Sequence, residues 1–399
     1  MVSATRSLLS RAFSSRSAAR VSVCKKFIGF TSAGPVCAAA NITSSSLNLS
    51  TTFLTSSHRF FSISRFTMSK PHVLLLGEIT HAKAEWEALS DVATLSVCDS
   101  GNREQFIKDL KSKYADVVAV FRTFKSIAIT GRIDADLVKE FPPTLKYVCH
   151  NGAGYDQVDV EPCLAAGIQI SNCPSTVDDA TADVNMMLIL GALRNFNQAA
   201  VGLRRGKWNT TTPLANDPEG KLLGIVGMGG IGRAVKRRAE AFGMTVQYYN
   251  RRELSPELSG GAKYVSFDEL LATSDVISLN LPLNPNTRHT INKAAFEKMK
   301  DGVVIANTAR GAVMDEAALV DALASGKVKS VGLDVYENEP TIHPGLLSNE
   351  KVMLLPHVGT LTYETQKKME VQVIDNVRAA VTVGKVNTLV PEQVAAGVF

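Results

Sequence analysis

The stretch 222–252, LLGIVGMGGIGRAVKRRAEAFGMTVQYYNRR, constrains the chain more than any other. Leu222–Val226 is a short apolar run that reads as a buried strand. It turns through Gly227-Met228-Gly229-Gly230-Ile231-Gly232 into a helical pattern with apolar positions at Ile231, Ala234, Val235, Ala239 and Phe242. Gly243 stops that helix, and Thr245–Tyr249 reads as a second strand. Gly227 makes the tight turn, Gly229 lets a pyrophosphate approach bare backbone, and Gly232 lets helix and strand pack closely. Uncommitted N–H groups at the positive end of the helix then hold the phosphates. A lone glycine motif would say little, but strand, turn, helix and second strand all occur in order. The unit binds a dinucleotide.

The end of the second strand bears on which one. An NAD site places Asp or Glu about 20 residues beyond the glycines, to hold the ribose hydroxyls. Here that place holds Asn250, followed by Arg251 and Arg252. A carboxylate would repel a 2′-phosphate, whereas two guanidinium groups pair with it. The expectation is NADPH in preference to NADH; the dull reading is a solvated arginine pair on a loop.

Residues 1–67 contain no Asp or Glu, eight basic residues and sixteen serines. Acid-free, Arg- and Ser-rich composition is that of a mitochondrial transit peptide, so matrix import is expected and the segment is excluded from the fold. Met68 offers a second start that would give a cytosolic form. Removing the leader's eight positive charges from the net +5 leaves −3, so the basic pI is no nucleic-acid footprint. No run reaches the length of about 18 apolar residues needed for membrane insertion. Cys98, Cys149, Cys163 and Cys173 lack ligand spacing, so neither disulfides nor a metal site are expected.

From residue 72 the pattern alternates. Strand-like runs at 72–77, 92–97, 116–121, 145–149 and 168–171 are separated by helical patterns such as 82–89 and 103–110. Further strands are expected at 275–281, 303–307, 331–335 and 352–355, with a capping box at Ser266–Glu269 and a helix closed by Gly326. This is βαβ alternation, hence α/β with mostly parallel sheets covered on both faces. Roughly 330 residues are too many for one ordinary domain, so two doubly wound units are expected. A helical pattern over 177–196 would connect them. Its apolar positions run almost all round, which fits either a dimer interface or packing between the units.

Three successive strand ends carry the chemistry. Asn307-Thr308-Ala309-Arg310-Gly311, the run Gly332–Pro340 and Pro356-His357-Val358-Gly359 offer Arg310, Glu339 and His357. Ligands bind at the carboxyl edge of such sheets. Singly these are a surface arginine, a solvated acid and a core histidine; together, beside a nucleotide site, they suggest catalysis.

At these residues the chain resembles the D-isomer-specific 2-hydroxyacid dehydrogenases, and within them the glyoxylate/hydroxypyruvate reductases. The resemblance covers about residues 70–395 and includes NGAGYD at 151–156, GMGGIG, NTARG, GLDVYENEP and PHVGT. It implies a Rossmann nucleotide-binding domain, 174–358, inserted in a flavodoxin-like substrate domain made of 70–173 and 359–399. It also implies a homodimer through the connecting helix. By the same resemblance the Ala153 and Gly154 N–H groups and Arg310 hold the carboxylate of a 2-oxo acid, while His357 gives a proton and Glu339 orients it. Pro282 and Thr287 would border the adenosine and pyrophosphate. Thr308, Ala309, Asp334 and Gly359 would border the nicotinamide. Arg122 and Phe124 would face the substrate, Phe124 limiting its size, and His150 reads as structural. A phosphoglycerate dehydrogenase would have an acid in place of Asn250, and a formate dehydrogenase an amide in place of Glu339. The remaining alternatives are a dehydrogenase for bulkier 2-oxo acids and, in a different class, a nucleotide-sensing corepressor.

Overall fold

The computed structural model describes residues 69–399 apart from 211 and 398; the leader and the Met68 start lie outside the described residues. Five strands form a first sheet: β1 (His72–Leu76), β2 (Thr94–Val97), β3 (Val117–Thr123), β4 (Tyr147–Asn151) and β5 (Gln169–Ser171). All pair in parallel, in the order β2-β1-β3-β4-β5, which is the flavodoxin-like winding. A second sheet holds β6 (Leu222–Val226), β7 (Thr245–Tyr249), β8 (Lys263–Tyr264), β9 (Val276–Leu279), β10 (Val303–Asn307), β11 (Val328–Leu333) and β12 (Val352–Leu354). Its order, β12-β11-β10-β9-β6-β7-β8, reverses direction between β6 and β9, as in the Rossmann winding. The α/β expectation with two parallel sheets is met.

Sheet alternation explains what each face buries. Leu74, Val120, Val148 and Ile170 share one face of the first sheet, packed with Phe106, Leu137 and Cys163. Leu75, Phe121 and Cys149 share the other, where the helix Tyr363–Val383 lays Met369, Val373 and Val377. The C-terminal segment therefore returns to the first sheet. Val390 donates its N–H to Ile170, and the Gln393 amide bridges Ile170 and Ile168.

Three expectations need correcting. The helix over 177–196 is Asp178–Leu193; Asn195 takes a left-handed conformation (φ 55°), and a second helix starts at Phe196. Phe242 is not core but 45% exposed, because it caps the helix Gly230–Ala241 where the chain turns outward. The strand placed at 331–335 is Val328–Leu333, so Asp334 and Val335 have already left the sheet. No helix among the described residues is long and apolar enough to cross a membrane.

Candidate active site

The carboxyl ends of both sheets open onto one cavity of ≈ 1310 Å³. That exceeds the ~300–1,000 Å³ typical of a site for one small ligand. Loops after β1, β3, β4, β9, β10, β11 and β12 all contribute to its wall.

Glu339 and His357 meet there. The Glu339 Oε2 lies 2.9 Å from His357 Nδ1, and Oε1 accepts the Tyr336 N–H at 3.0 Å. Burial works against ionising Glu339, but the His357 hydrogen bond and charge, the Tyr336 N–H and Arg310 outweigh it and hold the carboxyl below the usual range. An ionised acceptor at Nδ1 fixes a proton there and leaves Nε2 for a reacting group. His357 sits at φ 57°, a region costly for a side chain with a Cβ. The reason is local. Asp334, almost wholly buried, accepts the N–H groups of Val358 at 2.7 Å and Gly359 at 2.8 Å, and so pins the turn that presents the imidazole. Phe124 stands edge-on to the same ring, with centroids 5.7 Å apart.

Arg310 lines the same cavity. Its Nε donates to Asp156 Oδ1 at 2.8 Å and its Nη1 to the Ala309 carbonyl at 2.8 Å. Burial disfavours the Asp156 carboxylate, yet Arg310 overrides it and keeps the acid ionised below its usual range. The guanidinium comes close against Gly154: a Cβ there would stand 2.1 Å from Nη2. Ala153 and Gly154 line the cavity beside it. Sequence reasoning gave Asp156 no role, because 154 residues separate it from the arginine it holds.

Arg122 is the correction among the expected substrate residues. It is fully buried and bonds His150 and Gln157, off the cavity wall. Ladder register is the reason: Leu76, Arg122 and His150 are cross-strand partners and point into the layer with Leu74 and Val148. Burial and the Arg122 charge push the His150 imidazole down to about 3. The unfolded chain would bind a proton near the ordinary value of about 6.5. Between those values only the unfolded state is protonated, so stability is fully present above about pH 6.5 and falls as pH drops toward 3. The midpoint of thermal unfolding should decline over that range. His150→Gln should decline less; parallel curves would discount the histidine.

The glycine turn has the shape a pyrophosphate needs. Gly227 sits at φ +92°, and a Cβ there would come within 2.8 Å of the Asn280 carbonyl. A Cβ on Gly232 would meet the Gly227 carbonyl at 2.7 Å, whereas Gly229 faces open space. The helix Gly230–Ala241 has no side-chain cap, which leaves its first N–H groups for an anion. Ile231, Pro282, Thr308, Ala309, Asp334 and Gly359 line the cavity. Asn250 steadies the turn instead, its Oδ1 accepting the Met228 N–H at 2.7 Å. Arg251 and Arg252 are exposed and form no ion pair among the described residues. Thr287 is turned into its own loop, its hydroxyl donating to Pro282 at 2.6 Å, and does not reach the cavity wall.

A family model described as D-isomer specific 2-hydroxyacid dehydrogenase, NAD binding domain, matches residues 186–359. Over 324 residues the chain is 59% identical to 4-methyl-2-oxopentanoate reductase A of Aspergillus oryzae, covering 81% of this chain and 98% of that one. Its fold is similar to the crystal structure of a glyoxylate reductase from Paecilomyes thermophila (TM-score 0.80, 57% identity, 82% of this chain and 100% of that one). It is similar also to an NADPH-dependent glyoxylate/hydroxypyruvate reductase from Sinorhizobium meliloti in complex with NADP and malonate (TM-score 0.71, 31% identity, 81% and 98%). The glycine cradle, the sheet windings and these matches agree: the chain belongs to the D-isomer-specific 2-hydroxyacid dehydrogenases, enzymes that work with a nicotinamide cofactor.

Proposed function

We propose that the protein reduces a small 2-oxo acid, such as glyoxylate or hydroxypyruvate, to the D-2-hydroxy acid with NADPH. The observation that carries this is the convergence of Arg310, the Glu339–His357 pair and the Ala153–Gly154 backbone on one cavity. A bound nicotinamide supplies hydride to the carbonyl carbon. Arg310 and the two N–H groups hold the carboxylate, and Arg310 polarises the ketone. His357, as the imidazolium, gives its Nε2 proton to the developing alkoxide and is left neutral, Glu339 having balanced the ring's charge until the transfer. Names of relatives support the substrate class: glyoxylate and hydroxypyruvate reductases stand among them. In this reading residues 70–173 and 359–399 take the substrate and 174–358 the cofactor.

NADPH preference rests on Arg251 and Arg252, free to pair with a 2′-phosphate, with NADH as the weaker cofactor. Arg251→Asp with Arg252→Ala should raise KM for NADPH by about tenfold to a hundredfold, from two lost charged hydrogen bonds, and leave NADH little changed. Equal losses with both cofactors would remove these arginines from the 2′-phosphate. The steady-state test of function is a panel of 2-oxo acids with each cofactor; no turnover would sink the reductase assignment.

A second reading, bulkier 2-oxo acids, is favoured by one observation. Leu361, 69% exposed, lines the cavity with Phe124 and gives its rim an apolar character that glyoxylate does not use. The same panel decides, through 4-methyl-2-oxopentanoate, which is what the Aspergillus relative is named for. Self-association as a homodimer is supported by Met187, Phe196, Leu203 and Trp208, exposed along and just beyond the two connecting helices. Light scattering that reads a single-chain mass would end that proposal. Matrix import rests on the leader's composition; a cytosolic location of the tagged full chain would overturn it.

A further inference from the structure

The loop of residues 152–154 is held from below by groups that take no part in the scheme above. Each of its three carbonyls has a partner. Gly152 accepts the Cys173 N–H at 2.9 Å, Ala153 the Asn172 side-chain amide at 2.7 Å, and Gly154 lies 3.1 Å from His150 Nε2. A peptide unit is planar and trans, so a fixed carbonyl turns the next residue's N–H to the opposite side. The Ala153 and Gly154 N–H groups donate to no other described residue, and both residues line the cavity.

We infer that Asn172 and His150 are positioning residues that preset this loop to receive the carboxylate of the 2-oxo acid, with Arg122 holding His150 from behind. Asn172 sets the Ala153–Gly154 peptide and thus the Gly154 N–H. His150 sets the peptide that follows. Arg122 decides the tautomer: a guanidinium only donates, so its Nη1, 3.1 Å from His150 Nδ1, leaves the ring proton on Nε2, directed at the Gly154 carbonyl. The ring also lies directly under Gly152, where a Cβ would come within 2.7 Å of Nε2. A buried guanidinium whose Nε and Nη2 find no partner is costly to a fold. That cost falls directly beneath the loop that the proposed function assigns to substrate.

This inference rests on that proposed function, and the test separates the two. Asn172→Asp keeps the shape and removes the donor. With the cofactor-loaded enzyme, oxamate (an unreactive mimic of a 2-oxo acid) should bind about tenfold more weakly, with KM for the 2-oxo acid rising in step. NADPH affinity should stay within about twofold and kcat within about threefold, because carboxylate binding contributes equally to ground and transition states. His150→Phe should resemble it. His150→Gln, which can both donate to Gly154 and accept from Arg122, should recover most of the oxamate affinity. If His150→Phe fails to fold, the Asn172→Asp result still decides. Oxamate affinity within about twofold of the unaltered chain, or an equal loss of NADPH affinity, overturns the inference alone. No oxamate binding by the unaltered chain overturns the functional reading and this inference with it.

Discussion

Replacing His357 by Ala should lower kcat for 2-oxo acid reduction by roughly a hundred- to ten-thousand-fold, the usual worth of a positioned general acid. NADPH affinity should persist, because the glycine turn and its uncapped helix owe nothing to the imidazole. Glu339→Gln should fall between the two, since an amide still accepts at Nδ1 but cannot balance an imidazolium. Water would have to deliver the proton in the alanine variant, without the fixed position that the Asp334 clamp gives the ring. Stopped-flow decay of NADPH absorbance separates the chemical step from release. A single-turnover rate in His357→Ala close to that of the unaltered chain would remove His357 as the acid.

Much of the frame was legible because it follows from local rules. β6, β7 and β10 have the bounds their apolar runs predict, since both faces of a parallel sheet are buried and the run ends where the sheet does. Ser266 caps the next helix through the Glu269 N–H, as its spacing requires. Arg310, Glu339 and His357 could be found because three strands of one sheet deliver their ends to one edge.

What was missed depends on contacts, local or distant, that residue type does not announce. Arg122 follows an apolar strand, as a substrate residue would, but strand parity sends it into the layer below, and a one-residue shift would have reversed the outcome. Thr287 has the composition of a ligand-facing loop residue, yet its hydroxyl closes a local turn with Pro282 and Asn284. Asp156 and Asn172 act on groups far along the chain, and Asp334, expected only beside the nicotinamide, clamps the N–H groups of Val358 and Gly359. No residue-type pattern announces such partners.

The Arg310–Asp156 pair carries the second large effect. Arg310→Ala should cost about a hundred- to a thousandfold or more in kcat/KM, because it removes the carboxylate's cation and leaves an acid unpaired in a half-buried site. Asp156 would then either repel the incoming carboxylate or take up a proton against its surroundings. In the unaltered chain Asp156→Asn should cost much less, about tenfold, by loosening the guanidinium while the amide oxygen still accepts from Nε. The two losses should not add. On the Arg310→Ala background Asp156→Asn should cost nothing or restore activity, a coupling of about 1–3 kcal/mol in a double-mutant cycle on kcat/KM. Additive losses would mean that Asp156 acts independently of Arg310, and that the fork seen close against Gly154 is not held in its working position by that carboxylate.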